Sequence, residues 1–538
     1  MEPLHQLALE TIEKNKQAII FAPSRASAEK TAEDLAKLID GNFPELEKEI
    51  LKAAATPTKQ CRKLSHSIRK GIAFHHAGLL QKQKDLIEEE FKKGKIKIIC
   101  ATPTLAAGLS LPVFRVIIKS LKRYSGQRGM DWIPVLEYLQ MAGRAGRPEY
   151  ESFGEAICLA RDEAEKEEIY EKYVCGEPEE IYSKLAVEPV LRTYLLSLIS
   201  SGIVYDETTM KDFFAHTFWA QQFQDLQKLE SITERMLSLL QEWGFVKISG
   251  GERYEETGPE KGREIKTDFV TASSIEKNKE RGTGPKLNPT ALGKRISELY
   301  LDPLTAKHLL NCLHSFNTKN NEPNNKQNNE KPGAFSLLQM ICHTLELRPL
   351  LRVKIKEQEF IQEELTKRCH SLLEEEPDVY DLDYEEFLDS FKTALFLEAW
   401  INEKDEDYLM DKFDIRPGEI RVKLEVADWL LYAAEELAAL SDHKSVIKEI
   451  RKLRIRVKHG TKEELLPLLK LKGIGRIRAR KLYASGCKDL GDLKKADLTS
   501  LAQLLGKALA EDVKKQVGEE VKEIASGKRT GQLSITKF

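Results

Sequence analysis

Along the first 165 or so residues, short apolar runs alternate with longer stretches whose apolar residues recur every three or four positions. The runs are AIIFAP (18–23), KIKIICATP (95–103), RVIIKS (115–120) and EAICLA (155–160). Strand-length runs separated by amphipathic helices predict an α/β domain with a largely parallel sheet. From 166 to 300 the period is helical, broken by WGFVKIS (243–249) and by a Gly, Lys and Glu-rich stretch reaching about 288. Short helices with a β-wing, a winged-helix module, would suit that pattern. Residues 317–330 (NTKNNEPNNKQNNE) are Asn-rich and apolar-poor, which predicts a disordered surface loop inside a helical region. Helical periodicity then returns from 335 to about 450.

At 538 residues the chain is longer than one hydrophobic core supports, so several domains are expected. The formal charge of −2, from 84 basic and 86 acidic residues, carries no polycation signature, so any nucleic-acid surface must be local. Eight cysteines lie scattered without a CxxC pair, which argues against a zinc site and a disulfide framework and suits a reducing cytosol. No apolar run has the length of a membrane span, and the expectation is a cytoplasmic, nucleoid-associated protein.

Charge is distributed unevenly. Between Glu374 and Asp389, nine of sixteen residues are acidic, a pattern that predicts a solvated loop. From Lys444 to Lys481, fourteen Lys or Arg face three Glu while Leu and Ile keep helical spacing. That stripe reads either as a solvated basic face or as a footprint for phosphate backbone.

The most specific motif is QMAGRAGRP (140–148). Arg144 and Arg147, three apart, fall on one helical face, and Gly143 and Gly146 keep that face open for close approach. Guanidinium groups so placed, with Gln140, can grip a γ-phosphate and neutralise charge as it transfers. ATPTLAAGLSLP (101–112) follows the strand KIIC, and its Thr102, Thr104 and Gly108 are candidate phosphate contacts. FAPSRASAEK (21–30) and FHHAGLL (74–80) complete an ordered set. His75 and His76 are adjacent and lack an acidic or Cys partner at ligand spacing, so no metal site is expected. Asp162–Glu165 spells DEAE, but it lies after the arginine motif and predicts a helix start, where acids favour the helix dipole.

Taken together, FAPSR, HHAGLL, ATPTLAAG and QMAGRAGRP resemble motifs IV to VI of superfamily 2 helicases of the Ski2-like subgroup. Resemblance to the archaeal DNA-repair branch, the HelQ-like helicases, continues through LGKRISELYLDPLTA (292–306), ICHTLELRPL (341–350) and WINEKDEDYL (400–409). It implies a multi-domain α/β plus α architecture with these parts. A second RecA-like parallel-sheet domain spans 1–165, a winged helix 166–300, a helical ratchet bundle 301–455 containing the 317–330 loop, and a helix-hairpin-helix 456–525, followed by a tail at 526–538.

The resemblance also implies site residues. A strand-parting β-hairpin corresponds to about Val116–Leu139, with Tyr124, Met130 and Trp132 around SGQRGM as wedge candidates or as an ordinary solvent hairpin. In the ratchet, Trp429 of GEIRVKLEVADWL (418–430) is either a base-stacking residue or plain core. Where the family often has an arginine two turns earlier, this chain has Val422, with Arg421 next to it. LLKLKGIGRIRARKLYASG (468–486) matches a helix-hairpin-helix, in which Gly473 and Gly475 shape a turn that aims backbone N–H groups at a phosphate, with Arg476 and Arg478 adding charge. The ending GQLSITKF places Gln532, Ile535 and Phe538 in a pattern similar to the peptide that docks on the PCNA sliding clamp, without the usual second aromatic.

A phosphate loop of the form GxxxxGK[ST] does not occur in the sequence. The expectation is therefore the arginine side of a site for ATP and Mg, completed by a chain supplying the first RecA-like domain. Such a pair would be a 3′–5′ DNA helicase acting in replication-fork repair and recombination on single-stranded and forked DNA. The alternatives are a non-catalytic, clamp-recruited DNA-binding protein and an RNA-remodelling helicase.

Overall fold

The computed structural model describes residues 2–54, 57–108, 111, 113–124, 130–146, 153–249, 285–321, 333–441 and 443–518. The chain divides into two compact units, Met1–Tyr182 with Asp405–Lys423, and Ser183–Lys404 with Leu424–Phe538.

Among its described residues the first unit has seven strands, β1 (Ala18–Phe21), β2 (Ile72–His75), β3 (Ile98–Ala101), β4 (Arg115–Ile118), β5 (Lys122–Tyr124), β6 (Met130–Trp132) and β7 (Glu155–Cys158). Five form one parallel sheet in the order β2-β3-β1-β4-β7, as the apolar runs predict. β2 is the strand the pattern left unread, because IAFH merges into the histidine motif. Every residue of β1 to β4 is buried, so the alternation that marks a half-exposed strand is absent. Strand order reverses beside β1, with β3 and β2 on one side and β4 and β7 on the other, which opens a crevice at the strands' carboxyl ends.

This unit extends past the expected boundary at 165. Asp162 caps the helix Glu163–Ile169 by accepting from Glu165 N at 2.8 Å, so the DEAE sequence is a helix start. A π-helical turn, Tyr170–Val174, then buries Tyr173 in the sheet domain's core, its hydroxyl donating to Ile133 O at 2.6 Å. Residues 405–423 join from far along the chain. Gly418 N donates to Gly78 O at 3.0 Å, and a Cβ on Gly418 would lie 2.3 Å from Ala77 O, so no larger residue could approach this closely.

In the second unit, helices Glu188–Ser200, Glu207–Ala215, Leu226–Glu242 and Ala291–Glu298 surround an antiparallel pair, β8 (Val246–Ser249) with β9 (Lys286–Pro289). Residues 250–284, most of the Gly, Lys and Glu-rich stretch, lie outside the described residues. Arg192 meets Asp302 in a buried two-pronged ion pair at 2.6 and 2.9 Å. A bundle follows, including Pro303–Asn321, Ala334–Cys342, Tyr384–Ile401 and Lys444–His459, with Phe387, Phe391 and Phe396 fully buried.

Two expectations are corrected here. Residues 317–321 of the Asn-rich segment continue the helix Pro303–Asn321, because an established helix propagates into polar residues at little further entropic cost; 322–330 lie outside the described residues. The second half of the acidic stretch is the start of Tyr384–Ile401, where Glu385 and Glu386 in the first turn suit the positive end of the helix dipole.

Residues 463–518 enclose a small core of their own around Leu465, Leu468, Leu482, Leu493, Leu501 and Val513. Among the described residues no helix is long and apolar enough to cross a membrane, and no disulfide joins any two cysteines.

Candidate functional site

At the carboxyl ends of the sheet, a cavity of about 860 Å³ collects residues from four motifs and from 405–423. Ser24, Arg25 and Ala26 enter from the turn after β1, Thr102 and Thr104 from the turn after β3, Ala77 from the turn after β2, and Gln140 from the helix Val135–Ala142. Ser24 caps the helix Arg25–Ala36, accepting from Ser27 N at 3.2 Å, so that helix opens toward the cavity with its partial positive charge. The Thr102 and Thr104 hydroxyls bond each other at 2.9 Å, which leaves one of the two O–H groups to donate to an oxyanion.

Sequence reading missed Arg416 and Glu419, which arrive here across almost three hundred residues. Glu419 pairs with Arg25 and also accepts from Arg416 N at 3.0 Å. Arg123 and Glu137, also on the lining, pair at 2.9 Å. Among the described residues, the Arg416 side chain makes no ion pair within bonding distance, which leaves its charge facing the cavity.

Beneath the cavity lies a buried polar network. His76 Nδ1 accepts from Gly78 N at 3.1 Å, while its Nε2 faces Glu29 at 3.3 Å and Gln60 at 3.4 Å. Burial pushes the Glu29 carboxyl up, but the His76 hydrogen bond and the Arg416 charge outweigh that and hold it below its ordinary value. His75 faces a different carboxylate, Glu88, at 3.3 Å, and burial lowers its pKa to about 4, so it is neutral at pH 7. The two histidines therefore brace the turn after β2 from separate sides. Glu88 follows His75 by 13 residues on the next helix and Glu29 comes from the helix Arg25–Ala36 before β2, so neither stands at a spacing that would signal a contact.

Arg144 does not line this cavity. Its Nε donates to Ala106 O at 3.1 Å and its Nη2 to the same oxygen, capping the short helix Thr104–Gly108. The backbone beside it is stitched to the chain before β4, with Val113 N donating to Arg144 O at 2.9 Å and Gly146 N to Val113 O at 2.7 Å. Gly143 ends the helix Val135–Ala142, and Gln140 is exposed on it. Arg147 lies outside the described residues.

β5 and β6 form an antiparallel pair in which Tyr124 faces Met130 and Lys122 faces Trp132. This hairpin is shorter than the expected Val116–Leu139, because 115–118 belong to the main sheet and 135–142 to a helix. Its turn, 125–129, lies outside the described residues. Met130 is 60% exposed at the distal end. Trp132 at the base is half-buried, packed 5.7 Å from the Tyr173 ring with Lys122 Nζ 4.0 Å above it. Of the three wedge candidates, Met130 is exposed and Trp132 is part of the hairpin's foundation, while the Tyr124 side chain lies outside what the structure describes.

In the second unit, Trp429 is half-buried, and its indole N–H donates to Leu299 O at 3.2 Å. Val422, two turns earlier on the helix Pro417–Leu440, is 58% exposed, and Arg421 beside it is also on the surface. Gly473 has φ +80°, and Gly475 opens the helix Arg476–Ala484 with nothing near its missing Cβ. Arg478 donates to Gly473 O at 2.8 Å and is exposed. Arg476 donates to Lys404 O at 2.9 Å and lies 5.3 Å over the Trp400 ring, while Arg480 grips Glu403 and Glu464. Of the basic residues near the turn, Arg478 and Lys481 therefore present the more open charge. Gln532, Ile535 and Phe538 lie outside the described residues.

Comparison with known proteins agrees with this assembly. Residues 1–149 match the family model described as helicase conserved C-terminal domain, and residues 335–460 match archaeal helicase, domain 4. A protein of Pyrococcus horikoshii named ATP-dependent DNA helicase Hel308 is 36% identical over 539 residues, covering 98% of this chain and 67% of the relative. A Pyrococcus abyssi protein of the same name gives the same figures, 36% identity with 98% and 67% coverage. A third, from Methanocella arvoryzae, is 34% identical over 97% of this chain and 65% of its own length.

Proposed function

Since the chain belongs to the Hel308 family of archaeal Ski2-like superfamily 2 helicases, we propose that it works in an ATP-dependent DNA helicase of repair and recombination. In this reading it supplies the second motor domain and the DNA-handling domains. The observation that carries the reading is the surface of the helix Val135–Ala142, where Leu136, Leu139 and Gln140 are exposed together one turn before Arg144. Exposed apolar side chains close in sequence to Arg144 suit a second motor domain closing over nucleotide.

The residues fit only one side of an ATP and Mg site. Gln140, Gly143, Arg144 and Arg147 would face the γ-phosphate, and a GxxxxGK[ST] loop, missing from these 538 residues, would come from a first RecA-like domain on the same or another chain. Bound ATP supplies the free energy for translocation. Thr102 and Thr104, which we expected at the nucleotide, share their cavity with Arg25, Arg416 and Gln140 and not with the Arg144 guanidinium. That company favours a phosphate of the DNA backbone as their ligand, with Gly108 ending the helix behind them.

Elsewhere, Met130 would wedge the fork, Trp429 would stack on a base, and the turn at Gly473 and Gly475 with Arg478 would hold phosphate. Gln532, Ile535 and Phe538 would dock on a PCNA clamp. Translocation 3′ to 5′ and action at replication forks follow from the family reading.

The test is complementation. Mixed with the first motor domain of the Pyrococcus horikoshii relative and single-stranded DNA, this chain should restore ATP hydrolysis, and Arg144→Ala should abolish it. No stimulation by any first motor domain of the family would leave the non-catalytic accessory reading in its place. Matched DNA and RNA forks decide the substrate, and a clamp pull-down with residues 531–538 deleted decides the tail.

A further inference from the structure

Tyr300 is 84% exposed and stands at φ +55°, a left-handed conformation that bulky side chains adopt reluctantly. It follows the helix Ala291–Glu298 at the point where the chain turns out of helical geometry. Tyr300 N donates to Ser297 O at 3.1 Å and Leu301 N to Ile296 O at 3.2 Å, the paired bonds that close a helix end where glycine or asparagine is the usual residue. A tyrosine is therefore a poor choice for the backbone. Packing does not offset the strain, because among the described residues no ring lies against Tyr300 and its hydroxyl has no hydrogen-bond partner. A strained, fully solvated aromatic contributes nothing to the folded chain by itself, and such outliers point to a ligand.

Its position says which ligand. The preceding residue, Leu299, is buried, and its carbonyl oxygen is the acceptor for the Trp429 indole. The free ring of Tyr300 thus begins one residue from the anchor of Trp429. Lys294, on the helix Ala291–Glu298 that precedes Tyr300, is exposed.

We propose that Tyr300 is a second base-stacking residue for single-stranded DNA, adjoining Trp429. The proposal rests on the reading of Trp429 as a stacking residue. Every base offers a π-face, so the contact is indifferent to sequence, and the phenol oxygen plays no part.

The experiment measures the affinity of the full chain for a single-stranded oligonucleotide carrying 2-aminopurine, together with its thermal midpoint. Tyr300→Gly relieves the backbone and should raise the midpoint while weakening Kd by roughly fivefold or more. Tyr300→Phe should leave Kd within about twofold, since the ring remains. A lowered midpoint in Tyr300→Gly would mean that the ring is structural, and the proposal falls. If Trp429→Ala weakens binding and Tyr300→Gly does not, the proposal falls while the stacking role of Trp429 stands. If neither weakens it, both fall.

Discussion

Arg144 donates twice to a single acceptor, the carbonyl oxygen of Ala106, and so ties the arginine motif to the end of the short helix that follows β3. If Arg144 also serves the γ-phosphate, as proposed above, the same side chain bears on both the nucleotide and the Thr104–Gly108 helix.

Removal of that side chain should therefore have two consequences. Arg144→Ala leaves the Ala106 carbonyl without its charged donor, which should destabilise the first unit by about 1–3 kcal/mol. Arg144→Lys keeps the charge but loses the fork, and should recover part of the stability without recovering ATP hydrolysis in the complemented assembly. Denaturant unfolding and an ATPase assay on the same preparations check both. Hydrolysis unaffected by either substitution would remove Arg144 from the nucleotide site.

Met130 and Trp132, one position apart from adjacency in β6, should respond differently to truncation. Trp132→Ala removes packing against Tyr173 and the Lys122 cation, so a loss of about 1–3 kcal/mol in stability is expected. Met130→Ala removes a side chain in water and should leave stability within about 0.5 kcal/mol while slowing strand separation by the assembled helicase. Equal loss of unwinding and of single-strand binding in Met130→Ala would count against a wedge.

His75 makes the first unit sensitive to acid. Burial holds its imidazole at a pKa of about 4 instead of 6.5, so below pH 6.5 the unfolded chain takes up a proton there and the folded protein does not. Its contribution is full above pH 6.5 and declines as pH falls toward 4, by about 3 kcal/mol at most. Glu88, pushed above its ordinary value by burial, acts in the opposite sense as it titrates, so the loss from His75 is clearest just below pH 6.5. Thermal midpoints measured there should fall with pH for the native chain and flatten for His75→Asn. Parallel curves would mean that His75 is solvated in the native state.

What the sequence made legible follows a physical division. Parallel strands buried on both faces appear as unbroken apolar runs, so β1, β3 and β4 could be located from the apolar pattern, and the half-buried edge strand β7 from its short run EAICLA. β2 could not, because its four residues run into a motif read for chemistry. Local devices such as the Asp162 cap and the turn at Gly473 were equally visible. Arg416 at the cavity and the Glu29 carboxylate under His76 were not, since each is brought to its place by tertiary packing that no spacing encodes. The same holds for Arg476, whose charge reads as a DNA contact in sequence but donates to Lys404 O in the fold.

Val422 offers a gain-of-function test of the helix that carries Trp429. Residues seven apart on an α-helix lie nearly on one face, so position 422 looks the same way as Trp429 two turns on. Val422 is 58% exposed, and arginine is the better helix former, so Val422→Arg should fold without loss. A guanidinium there would meet a strand whose base stacks on Trp429. Each phosphate so neutralised releases a counterion and steepens the dependence of log K on log salt by about 0.7 for single strands. Val422→Arg should accordingly tighten oligonucleotide binding at low salt, lose that advantage as salt rises, and show no gain when combined with Trp429→Ala if the strand no longer follows this face. Unchanged affinity and slope in the single variant would mean that DNA takes another path, and the Trp429 contact would go with it.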